Sequence, residues 1–95
     1  MKIVFSAEFG DELEKILNFI AQDSSSRAIS FDDTLYEKIL EIPNRPYSFR
    51  KNKLLDRDDT RDLIFKGYVI VFRIKQDCIK ILSIYKHNLL GSFND

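Results

Sequence analysis

Cationic side chains are the residues of this chain whose type and spacing best suit chemistry, and many of them fall in one short stretch. RKNKLLDRDDTRDL, residues 50–63, contains nine charged side chains, five basic and four acidic. Arg50 and Lys53 have no acidic neighbour nearby in sequence, so we expect them to face outward, toward an anionic partner. Arg61 follows a turn at DRDD that reverses the chain. Its guanidinium could either pair with an aspartate, tying this segment to a sheet, or bind a partner.

Acid–base chemistry would need a group that titrates near neutral pH. His87 is the only histidine and follows the last predicted strand, so it is a candidate acid or base, although a lone histidine is also commonly an ordinary surface residue. Cys78 is the only cysteine, cannot form an internal disulfide and is expected to be a small apolar filler. No Cys or His spacing resembles a metal site and there is no glycine-rich phosphate loop, so we predict no metal and no cofactor.

Length and composition predict one domain over residues 1–95. Hydrophobic residues make up 44% of the chain and charged residues 32%, which suits a small core and is not typical of a disordered chain. The first residues do not resemble a signal peptide, and the longest apolar run, residues 68–72, is too short to cross a bilayer. We therefore expect a cytoplasmic protein.

The formal net charge of zero conceals a division between the halves of the chain. Residues 1–43 contain four Lys or Arg and nine Asp or Glu, a net −5, whereas residues 44–95 contain eleven and six, a net +5. This asymmetry predicts either a basic surface that meets something anionic, or acidic helices lying against basic strands within the domain.

The first half predicts a strand over residues 1–6 and a helical hairpin over residues 7–43. Ser6 is a suitable N-cap for the first helix, and DSSS supplies a turn and the next N-cap. Pro43 should end the second helix. Each helix has one apolar stripe at helical spacing: Phe9, Leu13, Ile16, Leu17 and Ile20, then Ala28, Phe31, Leu35, Ile39 and Ile42.

The second half predicts a basic and charged loop over residues 44–59, antiparallel strands over residues 60–86 and a tail over residues 87–95. Lys66-Gly67 is a two-residue hairpin signal with glycine where positive φ is needed, and Gln76-Asp77 is a weaker turn. The order of a strand, a helical hairpin and a three-stranded antiparallel meander predicts an α+β domain with both helices on one sheet face.

Alternation along the strands predicts that the face away from the helices is partly apolar. The helix-covered face should carry Tyr68, Ile70, Phe72 and Ile74. The other face should carry Val69, Val71, Leu82 and Ile84 beside the cations Arg73, Lys75, Lys80 and Lys86. An apolar patch ringed by cations usually marks a binding surface. Alternatively, the tail could cover it with Leu89, Leu90 and Phe93.

Over nearly its whole length the sequence resembles the RelE/ParE superfamily, the toxins of type II toxin–antitoxin (plasmid stabilisation) modules, and in particular its ParE-like branch. The segments that carry the resemblance are KIVFSAEFGDELEKILNFIAQDS, the helix ending LEIP, and FRKNKLLDRDDTRDLIFKGYVIVFRI followed by DCIKILSIYKHN. Within them, Arg61 and Leu63 form an R-x-L element and Gly67-Tyr68 the hairpin.

The resemblance implies two alternative activities. RelE-like toxins cleave mRNA in the ribosome without metal, which needs an acid, a base and cations; Arg61, Arg73 and His87 would be the candidates. Val69 stands where those enzymes carry a basic residue, which counts against this alternative. ParE-like toxins inhibit DNA gyrase by binding, which fits a near-zero net charge better. A non-toxic interaction module is the third possibility.

The ParE-like interpretation is our prediction, with a cognate antitoxin and DNA gyrase as partners in a hetero-oligomer. The ribosome and mRNA are the alternative partners, and no membrane is expected. The residues expected to bind the target are Arg50, Lys53, Arg61, Arg73 and Lys86. The residues expected to contact an antitoxin helix or added strand are Val69, Val71, Leu82 and Ile84.

Overall fold

A computed structural model describes residues 1–87 of the chain. Strand β1 (Lys2–Phe5) leads into helices α1 (Ala7–Asp23) and α2 (Ser25–Leu40), which are followed by two short 3-10 turns. Strands β2 (Arg50–Lys51), β3 (Thr60–Phe65), β4 (Tyr68–Ile74) and β5 (Cys78–Lys86) follow. The predicted α+β order of a strand, a helical hairpin and a meander is confirmed.

Serine side chains begin both helices. Ser6 Oγ accepts a hydrogen bond from the N–H of Phe9 at 3.0 Å, and Ser24 Oγ accepts one from the N–H of Arg27 at 3.2 Å. Each bond satisfies an amide that the first helical turn leaves unpaired, so both N-cap predictions are confirmed. Neither helix of the described part is long and apolar enough to span a membrane.

The five strands form one mixed sheet in the order β1-β5-β4-β3-β2. β3, β4 and β5 form the predicted antiparallel meander, and β2 pairs antiparallel with β3. β1 pairs in parallel with β5, from Lys2 opposite Cys78 to Phe5 opposite Ile81. The sequence predicted β1 but not its pairing with β5, because two parallel strands that are distant in sequence are not joined by a short hairpin that could be recognised.

The β3–β4 connection is the predicted two-residue turn. Lys66 and Gly67 both have positive φ, 48° and 84°, as a type I′ turn requires. The β4–β5 connection has three residues and is closed by a hydrogen bond from the N–H of Lys75 to the carbonyl of Cys78 at 2.8 Å. The predicted two-residue turn there was one residue too short.

The core lies between the helices and one face of the sheet, which we call the covered face; the opposite side is the open face. The apolar stripe of α2 is buried, whereas in α1 only Phe9 is buried and the rest of the stripe is partly buried. Phe31 of α2 meets the rings of Phe65 and Tyr68 edge-on, at centroid distances of 5.2 and 5.5 Å. These contacts tie the helical hairpin to the β3–β4 hairpin.

A β-bulge in β5 changes which residues face the helices. Neighbouring residues of β4 lie opposite Ser83 and Ile81, so Leu82 is an extra residue without a partner of its own. Beyond the bulge the alternation reverses, and Ile84 joins the core at 2% exposure. The prediction that Ile84 and Lys86 lie on the open face was wrong for this reason.

Candidate functional site

Three cross-strand rows of side chains form the open face. Because residues directly opposite one another in a sheet are neighbours on the same face, the strand register defines each row. The rows are Arg50, Asp62, Val71 and Ser83; Thr60, Arg73, Lys80 and Val4; and Ile64, Val69 and Tyr85. The open face therefore has an aliphatic centre with cations at two of its borders.

Asp62 is a buried carboxylate at the centre of a polar cluster on this face. Its side chain is 3% exposed and accepts hydrogen bonds from Arg50 Nε at 3.1 Å and from Asn52 Nδ2 at 2.8 Å. Burial raises the pKa of the Tyr85 phenol, and the negative charge of Asp62 acts in the same direction. Arg50 is exposed but has an acidic partner that is distant in sequence, because the β2–β3 register brings Asp62 directly opposite it.

Arg73 and Lys80 form a like-charged cross-strand pair on the open face. Arg73 Nε donates to the Oγ1 of Thr60 at 3.3 Å. Within residues 1–87, neither cation has a carboxylate oxygen within 4.0 Å. Like charges directly opposite one another destabilise a strand pair, so an anionic group bound here would relieve a repulsion built into the sheet.

The guanidinium of Arg61 is engaged within the protein. It donates to the carbonyls of Tyr47, Phe49 and Asp58 and to the Asp58 carboxylate, at 2.9 to 3.0 Å. It also lies over the Tyr47 ring, 5.1 Å from the centroid, and its side chain is only 13% exposed. These four bonds use most of the five N–H donors. Of the two alternatives for Arg61, the structure contains the ion pair that ties the charged loop to the sheet.

His87 lies at the opposite end of β4 from Arg73. Its backbone N–H donates to the carbonyl of Gly67 at 2.7 Å, and six residues of extended chain separate Gly67 from Arg73, about 20 Å. Arg61 shares its register position with Phe72 and so lies on the covered face. The three residues that RNA cleavage would require are therefore not brought together.

The acids of the charged loop are paired mainly with cations of the same loop. Arg57 contacts Asp59 at 2.8 Å, and Lys51 contacts Asp56 at 3.5 Å. The hydrogen bond from Arg57 is the main reason that the pKa of Asp59 is lowered. Lys53 is exposed, as predicted, and no carboxylate of residues 1–87 lies within 4.0 Å of it. No group of three or more His, Cys, Asp or Glu in this part of the chain could hold a metal ion.

The four residues predicted to form an exposed apolar patch do not form one. Val69 and Val71 lie in the central strand and are 0% and 6% exposed. Ile84 is in the core, and Leu82 alone is partly exposed. The alternative of coverage by the tail concerns Leu89, Leu90 and Phe93, which lie outside the described residues.

Lys86, a predicted target contact, instead borders a groove on the covered side. This groove, which we call the α1 groove, has a volume of about 460 Å³ and lies between α1 and the ends of β4 and β5. Its apolar lining is Ile16, Phe19, Tyr68 and Ile84. Lys86 Nζ lies over the Tyr68 ring, 4.8 Å from the centroid, and Lys15 is a second cation at the rim. Glu12 accepts a hydrogen bond from the N–H of Ile84 at 2.9 Å, where β1 no longer covers β5.

A second groove, of about 500 Å³, lies over the open face. Its apolar lining is Leu54, Leu55, Val71 and Leu82, and its cations are Arg73 and Lys80. Leu54 and Leu55, which are 74% and 49% exposed, were not among the residues predicted to bind a partner. Two consecutive leucines inside a charged loop were the signal that could have revealed them.

One family model and two solved structures match the chain. The model described as the ParE toxin of type II toxin-antitoxin system, parDE, matches residues 3–88. The chain is similar to a chain of the chromosomal ParDE system from P. aeruginosa, with a TM-score of 0.73 and 16% identity over 90% of this chain and 95% of that one. It is also similar to the conserved hypothetical protein HP0894 from Helicobacter pylori, with a TM-score of 0.53 and 18% identity over 93% and 96%. No curated protein matches significantly. At these identities the structural likenesses show the fold alone.

Proposed function

Because the chain belongs to the ParE toxin family of type II toxin–antitoxin systems, we propose that it is the toxin of such a module and inhibits DNA gyrase by binding it. The observation that carries the mechanism is the separation of the groups that RNA cleavage would need. Metal-independent cleavage requires an acid, a base and cations around one phosphate. The backbone of His87 is bonded to Gly67, at the opposite end of β4 from Arg73, and Arg61 lies on the other face with most of its donors occupied. Binding to a protein surface needs no such convergence.

Surface charge supports the same choice. Within residues 1–87, most acids of the charged loop are paired with cations of that loop, and Lys53, Arg73 and Lys80 are among the cations with no carboxylate oxygen within 4.0 Å. A protein that worked deep within ribosomal RNA would gain from a strong positive field, and this chain has a formal net charge of zero. A few cations beside apolar groups suit a protein partner better. Both partners would be met in the cytoplasm.

The α1 groove is the surface best suited to a cognate antitoxin. An amphipathic antitoxin segment could lay its apolar side against Ile16 and Phe19, with acidic side chains near Lys15 and Lys86. Of the predicted antitoxin contacts, Ile84 lies in the lining of this groove, but at 2% exposure it offers a partner as little area as a core residue does. The buried Val69 and Val71 offer little area to a partner.

Co-expression with the product of a neighbouring gene tests the antitoxin proposal. Phe19→Asp should abolish co-purification, because Phe19 is 68% exposed within the α1 groove. Ile29→Asp is the matched control, since Ile29 is 63% exposed on α2 and outside that groove. Equal capture of both variants would exclude the α1 groove as the antitoxin site.

Induction of the chain in cells tests the target. Gyrase inhibition predicts that DNA cleavage complexes appear before any truncated mRNA. Truncated mRNAs as the first event would favour the ribonuclease alternative. Normal growth after induction, with the protein folded and abundant, would leave only the non-toxic interaction module.

A further inference from the structure

Two large aliphatic side chains project from the turn between β2 and β3. Leu54 and Leu55 are 74% and 49% exposed, and neither belongs to the core. A single exposed leucine is ordinary. Here two consecutive exposed leucines line a groove that also contains two cations, and together they form a small surface that is both apolar and basic.

This turn is held rigidly by Asn52, which is 2% exposed. The backbone N–H of Asn52 donates to Thr60 at 2.9 Å, and its carbonyl accepts from the N–H of Asp56 at 3.0 Å. Its side chain donates to Asp62 at 2.8 Å and accepts from the N–H of Leu55 at 2.8 Å. Asp56, with φ of 50°, completes the turn. These hydrogen bonds hold the backbone that carries the leucines, so binding through the two side chains would require little further ordering of the turn.

The surroundings of the turn define the chemistry of a partner. Arg73 and Lys80 lie in the same groove as the leucines, as the like-charged pair described above, and Glu8 is the one acidic residue in its lining. A surface that combines protruding aliphatic side chains with cations that form no ion pair within residues 1–87 complements an apolar pocket bordered by carboxylates. Nucleic acid fits less well, because phosphates would gain nothing from the leucines.

We propose that the turn of residues 52–56, with Arg73 and Lys80, anchors the target protein, whose matching surface is an apolar pocket bordered by carboxylates. This inference rests on the proposed function and separates two surfaces. A protruding pair of leucines needs a concave, folded partner, whereas the concave α1 groove suits an antitoxin segment. Target and antitoxin therefore contact different sides of the sheet.

The test compares two double variants of the full chain. Leu54→Ser with Leu55→Ser removes the anchor, and Ile29→Ser with Leu40→Ser removes apolar groups that are 63% and 49% exposed on α2. Affinity for purified DNA gyrase should fall by about tenfold or more in the first variant. It should be unchanged in the second, and both variants should still capture the antitoxin. Equal gyrase affinity of the first variant and the wild type would overturn the proposal.

Further readouts distinguish this inference from the gyrase assignment. If the wild type arrests growth without binding gyrase, the target is another protein; relief of arrest by the leucine variant then supports the anchor, and persistence of arrest overturns it. Absence of arrest by the wild type also overturns it. Loss of antitoxin capture in the leucine variant alone would overturn the proposal as well. Loss of single-stranded RNA binding in that variant alone would also overturn it. If that variant has a lower thermal midpoint, Leu54→Ser alone is the milder test and must give the same direction of effect.

Discussion

At the scale of single residues, removal of the buried carboxylate of Asp62 should lower the stability of the fold. Asp62→Ala leaves the buried Nδ2 of Asn52 without its acceptor and removes the partner of Arg50. We expect the free energy of unfolding to fall by about 1–3 kcal/mol. Asp58→Ala is the matched control, because that carboxylate is 83% exposed and surface pairs contribute about 0–1 kcal/mol. Equal losses in urea unfolding would show that the Asp62 cluster does not stabilise the fold.

Charge reversal should separate the two early cations of the charged loop. Arg50→Glu sets a second carboxylate against the buried Asp62, so we expect it to destabilise the protein by about 2 kcal/mol. Lys53→Glu changes an exposed side chain and should leave the thermal midpoint close to that of the wild type. If Lys53 contacts the target, Lys53→Glu weakens growth arrest without a loss of stability. Full toxicity of Lys53→Glu would remove Lys53 from the target surface.

Residue roles were predictable where they depend on local sequence, and not where they depend on register. The capping role of Ser6 follows from its position before an amphipathic stretch, and it was found. The partner of Arg50 depends on a two-residue strand, β2, whose pairing opposite Asp62 has no pattern of its own. The rigid presentation of Leu54 depends on a side-chain bond of Asn52 to that same aspartate. Local sequence patterns could not predict these contacts, because they depend on how distant segments pair.

At the scale of elements, the β3–β4 turn offers a stabilising substitution. Lys66 has φ of 48°, which asparagine tolerates better than lysine, and Asn-Gly is the preferred type I′ pair. We expect Lys66→Asn to raise the free energy of unfolding by about 0.5–1 kcal/mol. Gly67→Ala should destabilise, because Gly67 has φ of 84°. Thermal unfolding checks both, and a destabilised Lys66→Asn would contradict the turn geometry.

Periodicity was enough to predict the helices and the meander, but not the irregularity in β5. Regular alternation places Leu82 and Ile84 on one face, and that assignment failed because a bulge at Leu82 reverses the alternation. The sequence around the bulge contains no glycine or proline to mark it. As a result, Ile84 and Lys86 line the α1 groove and not the open face.

At the scale of the whole molecule, the division of charge between the halves persists on the surface. The five ion pairs of residues 1–87 each join residues of the same half. No ion pair of residues 1–87 joins the acidic helices to the basic strands, although Glu8 of α1 lines the same groove as Arg73 and Lys80. We expect association with the target to slow as salt is raised, because the open-face cations would steer an anionic partner. A rate independent of ionic strength would contradict this.

We propose that the chain is toxic because it binds gyrase and not because it cleaves RNA. Supercoiling of relaxed plasmid by purified gyrase and ATP tests it most directly, with the Leu54→Ser, Leu55→Ser variant as control. We expect the wild-type chain to block supercoiling and trap cleaved DNA, the variant to do so poorly, and mRNA on translating ribosomes to stay intact. Unimpaired supercoiling together with cleaved mRNA would contradict it.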